Sequence, residues 1–405
     1  MSNDSVKGVI KNFILNFLSF ALPTVVLQFV VQPLIAAKLG GDLNGQYLTL
    51  MSLNFFLIGI SATVLNTVRM LQNEKYEKNN VVGDFNIIFL FYALLLILIM
   101  PLGYLLYVKD TNIIDILLYV LIGILYLYHD YIFAQYRLRM QFNKILINNG
   151  ILIVGYAIGT VLFMFVLPKW QFVFICAYVL TGIYDFANTT FIREPLKKTE
   201  FFSETVKKVG SLMVANSLNS SIAYFDKLLL FPLLGGVAVS VYNTASLVGK
   251  MLYLVSFPLN SLLLSYLVKI KRFRLASVKK YIFRTVVVLI LGYIVCVLVG
   301  YPLTDLLYPL WASESHIFIP ITVASNLFLL ISELINTVLL RYYKISFQMI
   351  LQAVNLVMYL GVSLAAMYFW GLLGFSIGVS IVALIKTVVM LIIIIRLDKK
   401  QEQIV

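Results

Sequence analysis

The sequence predicts an all-α integral membrane protein of about twelve transmembrane helices, in two six-helix lobes related by a parallel pseudo-two-fold repeat around a central cavity. Three observations carry that prediction: the composition, the rhythm of apolar runs, and the placement of positive charge. Of the 405 residues, 61% are hydrophobic and only 12% are charged. A soluble domain is about half apolar and a quarter charged, so this chain needs lipid as its solvent. A helix crosses the bilayer with roughly 20 apolar residues, and the length suits a dozen such spans with short links. Runs such as Ile87–Met100 and Val286–Val299 are apolar on every side. Barrel strands would alternate in polarity over about ten residues, so helices are expected.

Charges and Gly/Pro turns bound the spans in order. The first, 12–36, follows Lys11 and ends before Lys38 and the turn Leu39-Gly40-Gly41. The second, 45–67, ends at Arg69, and the third, 85–108, at Lys109-Asp110. The fourth, 113–135, runs to Arg137, the fifth, 145–167, to Pro168-Lys169, and the sixth, 171–191, to Arg193. The seventh, 208–234, ends at Gly235-Gly236, and the eighth, 238–268, before Lys269. The ninth covers 281–301, and the tenth, 316–340, stops before Arg341. The last two, 345–369 and 372–395, are joined at Gly371, with Arg396 after them.

Lysine and arginine then orient the chain. Taken alternately, the ends and links of these spans hold 25 of the 31 cationic residues on the side of the N-terminus. The other side holds only Lys38, Lys109 and Lys169. This is a positive-inside pattern: both termini are expected in the cytoplasm, in a bacterial inner (plasma) membrane. The loops on the outer side are too short for a catalytic domain. The cytoplasmic link at 192–207 divides the chain into expected lobes 1–199 and 200–405. The two halves also repeat. Leu39-Gly40-Gly41, Tyr47 and Thr49 recur as Leu234-Gly235-Gly236, Tyr242 and Thr244, each pair offset by 195 residues. Six helices per half starting on the same side give a parallel repeat, a plan in which the substrate site lies between bundles that rock in alternating access.

Ionisable residues at membrane depth cost at least ~2.5 kcal/mol on insertion scales and normally face a cavity or a partner. Lys250 continues the stripe Asn243, Ser246, Lys250, Asn260 on the eighth span. It reads either as a cavity cation for an anionic substrate or as half of an ion pair. Lys227 extends a stripe from Asn216 and either lines the cavity or snorkels outward. Its neighbour Asp226 points about 100° away around the helix, so the two are not expected to neutralise one another. Lys386 on the twelfth span is a further cavity candidate. Glu333 is a proton-carrier candidate or the partner of Lys250 or Lys386. Asp226, Asp130 and Asp185 are ion-coupling candidates too, with a structural ion pair as the alternative for Asp226 and pairing to the arginine-rich helix ends as the alternative for the other two. Pro23, Pro33, Pro232 and Pro258 are hinges or static kinks.

Several classes are excluded. The net charge of +13 is spread over helix ends and forms no nucleic-acid patch. Cys176 and Cys296 lie inside apolar runs, and His129 and His316 are far apart with no cysteine nearby, so neither a disulfide framework nor zinc is expected. The first apolar run, interrupted by Asn16, Pro23 and Gln28, does not read as a cleavable signal. There is no phosphate-binding glycine loop, hence no nucleotide coupling, and no cofactor or enzymatic site is expected.

Two stretches resemble the polysaccharide (Wzx-type) flippases of the multidrug/oligosaccharidyl-lipid/polysaccharide (MOP) exporter superfamily. The first is Pro23 to Pro33, then Ile35-Ala36-Ala37-Lys38-Leu39-Gly40 and Gly45-Gln46-Tyr47. The second is Tyr224-Phe225-Asp226-Lys227-Leu228, Leu234-Gly235-Gly236 and Val241-Tyr242-Asn243-Thr244-Ala245. The resemblance implies movement of undecaprenyl-diphosphate-linked oligosaccharide to the outer leaflet through a cationic cavity, as in O-antigen or capsule synthesis. One chain contains a complete two-lobed path, so a monomer among membrane lipids is expected, with a polysaccharide polymerase as a further partner and H+, Na+ or the membrane potential as the alternatives for coupling. Asp226 and Lys227 fall on the family's acid-rich motif, and Lys250 falls on its cavity wall. Unlike some relatives, the first two spans are expected to hold no buried arginine or lysine. The competing expectations are a MATE-like multidrug or cation antiporter, which needs buried acids, and a membrane-embedded polymerase or ligase, which needs larger outer loops.

Overall fold

The computed structural model describes residues 17–19, 21–269, 275–342 and 345–402, with the side chains of 219, 253–286, 340–346 and 397–402 outside that description. The described residues are nearly all helical and contain no strand. The long helices are α1 (21–39), α2 (41–78), α3 (Asp84–Tyr107), α4 (Ile113–Leu138), α5 (Phe142–Phe165), α6 (Gln171–Asn188), α7 (202–234), α8 (236–269), α9 (Leu275–Leu307), α10 (Ile319–Tyr342), α11 (345–369) and α12 (372–402), with a short helix at Ala312–His316. Eight apolar helical stretches are long enough to cross a membrane. Three of them contain a sharp joint, at Gly40, Gly235 or Trp370-Gly371. Those joints, together with the shorter α6, account for the twelve.

The joints explain why glycine recurs at the 195-residue offset. Gly40 has φ 75° and ψ 175°, and Gly235 has φ 84° and ψ 175°. Both lie in a region of backbone space open essentially only to glycine. A side chain there would force a strained backbone and straighten the turn between paired helices.

The chain divides into two compact units, Met1–Pro232 and Leu233–Val405. In the first, the core runs through α2, α3 and α4, with Leu65, Met100, Tyr119, Tyr131 and Tyr136 all buried. Its α5 and α6 pack backbone to backbone. A Cβ added at Gly155 would sit 2.4 Å from the Ala177 Cα, and one at Gly159 would sit 2.5 Å from the Val173 Cα. This small-xxx-small spacing lets helices approach closely where lipid supplies no hydrophobic drive. The repeated tyrosines do similar work in each unit. Tyr47 packs on Trp170 and Phe174, before and within α6, while Tyr242 packs on Phe375 of α12. Such aromatic pairs are worth about 1 kcal/mol each beyond area burial.

Several helix ends differ from expectation. The second helix runs to Lys78 instead of 67, because Arg69, Gln72 and Tyr76 on its polar end are buried against protein. The seventh starts at Phe202, so the expected link 192–207 shortens. Within it, Phe191–Arg193 forms a 3-10 turn. The prolines act unequally. Pro23 and Pro33 bracket a π-helical turn, Leu27–Val31, which absorbs the backbone bonds proline removes. At Pro232 the helix continues, and the break falls three residues later at Gly235.

Candidate functional site

The first unit contains a cavity of about 350 Å³. Thr24 and Gln28 enter it from α1, His129 and Asp130 from α4, Asn149 and Tyr156 from α5, Tyr178 from α6 and Tyr224 from α7. The π turn overlaps Gln28, so the bend of α1 and the polar lining coincide. Among the buried atoms without a hydrogen-bond partner are Gln28 Oε1 and Asn149 Nδ2. Buried polar groups are rarely left unmatched, and a hydrated or ion-holding cavity is where such groups belong. Asp130 is half-buried. Its Oδ2 accepts from the Thr63 hydroxyl at 3.0 Å, its backbone carbonyl accepts from Asn66 Nδ2, and Arg137 acts on it electrostatically. The arginine-paired alternative is therefore only part of its environment; the other part is the cavity.

Asp185 departs further from expectation. It is wholly buried and has no arginine or lysine partner among the described residues. Its Oδ1 accepts from Tyr136 Oη at 2.8 Å and from Asn148 Nδ2 at 2.5 Å, and its Oδ2 lies 3.7 Å from His129 Nδ1. Asp185 falls three residues before the end of α6 and its carboxylate is met by Tyr136 of α4 and Asn148 of α5 instead of by an arginine. His129 was not singled out by the sequence as functional. Its signal was the His129-Asp130 doublet inside an otherwise apolar span.

The membrane-depth charges of α7 and α12 also pair differently. Lys227 and Asp226 are both buried, with Nζ to Oδ1 at 3.4 Å. The expected 100° separation does not keep them apart, because the four-carbon lysine stem curls back toward the preceding residue. The same carboxylate caps the Lys227 backbone N–H at 2.8 Å. Lys227 is only 7% exposed, so its ammonium is held among protein groups and does not extend outward. In the second unit, Lys386 and Glu333 form a pair at 3.2 Å, which selects Lys386 from the two partners open to Glu333. Lys250 is half-buried on α8. Asn216 Nδ2 donates to the Gly59 carbonyl at 2.6 Å and ties α7 to α2. Ser246 is buried, and its hydroxyl donates to the Asn243 carbonyl at 3.0 Å. Asn243 itself is half-buried, and the Asn260 side chain lies outside the described residues.

Beyond the expected span 45–67, the continuation of α2 to Lys78 holds a buried arginine. Arg69 is 5% exposed, forms an ion pair with Glu194 at 2.5 Å, and lays its guanidinium 3.2 Å from the centre of the Phe191 ring. Tyr131 Oη accepts from it as well. Nearby, Asp84 accepts from the Thr199 backbone N–H at 2.7 Å and from Tyr76 Oη at 2.6 Å. These contacts fasten the 191–199 link onto the ends of α2, α3 and α4. A cavity of about 460 Å³ opens beside them, lined by Arg69, Glu77, Arg139 and Glu194 among others.

No protein-family model matches the sequence, and no curated protein sequence matches it. Solved structures do match. A multidrug resistance MATE family transporter of the MOP superfamily, in an inward-facing conformation, superposes with a TM-score of 0.69 at 10% identity, covering 96% of this chain and 99% of that one. The lipid II flippase MurJ, inward closed, gives 0.72 at 14% identity, covering 95% and 87%. The Vibrio cholerae MATE transporter VcmN in the bent form gives 0.56 at 16%, covering 99% of both chains.

Proposed function

We propose that this multi-pass membrane protein is a flippase that carries an undecaprenyl-diphosphate-linked oligosaccharide from the cytoplasmic to the outer leaflet by alternating access. What carries the proposal is a fold shared end to end with MOP-superfamily transporters, one of them a lipid II flippase, combined with lysines placed at membrane depth. A diphosphate-linked glycan has an anionic joint, a hydroxyl-rich head and an apolar tail. Compact ammonium charges suit phosphate, and amides suit sugar hydroxyls. Lys250, half-buried on α8, is the lysine proposed to meet the anionic joint of the substrate. In this reading the lobes are 1–199 and 200–405, both termini face the cytoplasm, and O-antigen or capsule assembly with a polymerase follows.

The cavity around Asp130 supports a second reading, a MATE-like cation antiporter, since a carboxylate at membrane depth can load and release H+ or Na+. The same group serves equally as the coupling site of a flippase.

The deciding measurement is leaflet-specific detection of lipid-linked oligosaccharide in cells depleted of the protein. The flippase reading expects a complete intermediate trapped on the cytoplasmic leaflet and polymer lost. Normal arrival at the outer leaflet would refute it and leave the antiporter. Lys250→Ala is expected to abolish export while membrane insertion stays intact; wild-type export from well-inserted variant protein would remove Lys250 from the cavity.

A further inference from the structure

The cavity of the first unit is walled by aromatic rings. Phe55 of α2 meets Tyr126 of α4 edge-on at 5.7 Å and Tyr224 of α7 at 6.2 Å, and Tyr126 stacks on Tyr178 of α6 at 5.0 Å. All four line the cavity, and set among them are Gln28, Asp130 and Asn149. Asn149 is 4% exposed, and its Nδ2 donor has no hydrogen-bond partner. Gln28 Oε1 is a buried acceptor without one. A carboxylate accepts about four hydrogen bonds, and at Asp130 the Thr63 hydroxyl takes one of them.

This combination selects among ligands. An acyl tail would leave the amides and the carboxylate unmatched. A phosphate would meet Asp130 with no lysine or arginine among the described lining residues. An organic cation such as tetraphenylphosphonium suits the rings and Asp130 but offers no acceptor to Asn149 Nδ2. A sugar hydroxyl both donates and accepts, so neighbouring hydroxyls can satisfy Asn149 Nδ2, Gln28 Oε1 and Asp130 together. The C–H face of a pyranose is the counterpart of an aromatic ring's negative face. Ligand pockets run from about 300 to 1,000 Å³, and this one, near 350 Å³, suits a single sugar ring and not a whole repeat unit.

We propose that this cavity is a subsite for one uncharged pyranose of the carried glycan, stacked on the Tyr126–Tyr178 wall and held by Gln28, Asn149 and Asp130. The inference rests on the flippase reading above and adds a selection rule to it: Asp130 turns away a uronic or other acidic sugar at this position. The anionic joint of the substrate stays outside the subsite for the same reason.

The test uses the full chain in lipid nanodiscs and saturation-transfer NMR. The probes are methyl glycosides of glucose, galactose and N-acetylglucosamine, with methyl glucuronide as the acidic counterpart. The neutral probes are expected to gain signal on their ring C–H protons above empty nanodiscs, and the glucuronide to bind about tenfold more weakly or worse. Asn149→Leu and Gln28→Leu are each expected to weaken the neutral probes roughly tenfold. Asp130→Asn keeps the shape and is expected to bring the glucuronide to within about threefold of methyl glucoside. No signal from any neutral probe, equal binding of the glucuronide by the wild-type chain, or unchanged binding in both amide variants would overturn the subsite. Tetraphenylphosphonium binding where no pyranose binds would overturn it too and give the cavity to an organic cation. Binding is read without transport. A trapped intermediate with no sugar binding removes the subsite and keeps the flippase, while sugar binding with normal arrival at the outer leaflet removes the flippase and leaves a sugar site.

Discussion

The two units share their backbone joints but not their buried charges. Gly40 and Gly235 adopt nearly the same conformation, and each is followed by a tyrosine that packs on aromatic side chains later in its own unit, Tyr47 on Trp170 and Phe174 and Tyr242 on Phe375. The first unit holds Asp130 and Asp185 around and behind a cavity. The second buries Lys386 against Glu333. A repeat therefore preserves what helix geometry requires, the glycine turn and the close helix contact, and leaves electrostatics free to diverge.

The comparison can be broken most sharply at the α5–α6 contact. Gly159→Leu places side-chain atoms where the Val173 Cα stands 2.5 Å from an added Cβ, and is expected to abolish stable insertion, scored by monodisperse yield. Next comes the charged pair of the second unit. Glu333→Gln alone is expected to cost about 3 kcal/mol by stranding a buried ammonium, and Lys386→Met in addition to restore most of it. A double-mutant cycle on thermal unfolding in detergent measures the coupling, and additive losses would mean the pair is not closed. Gly40→Ala and Gly235→Ala are each expected to cost ~2 kcal/mol through backbone strain. Equal losses would sharpen the equivalence of the two turns, while unequal ones would confine it to sequence.

The smallest effect lies at the start of α7. Lys208 and Lys75 hold the exposed Glu204 carboxyl down to about 2 from an ordinary 4.5. A depressed carboxylate stabilises the folded state above the higher value and loses that contribution as pH falls toward the lower. Protection of the 202–208 amides from hydrogen exchange, relative to their intrinsic rates, is expected to fall as pH drops from 4.5 toward 2, and Glu204→Gln to flatten that dependence.

The sequence by itself determined the fold class, because lipid imposes a length and an apolarity on each span that few other demands produce. It determined the repeat as well, since only glycine tolerates the φ of both joints, and the same residue had to recur at one offset. Tertiary structure alone decided the partners of the charges. Spacing along a helix says which way a Cβ points, but it does not limit a flexible lysine stem, hence the Asp226–Lys227 contact. It does not say that Lys386 of α12 lies beside Glu333 of α10. Arg69 counted as a positive charge past the end of a span, where charge marks orientation. Its burial under Phe191 depends on a link that folds back over the end of α2. His129 meets Asp185 only because α4 and α6 pack together, a contact between residues 56 positions apart that no local pattern encodes.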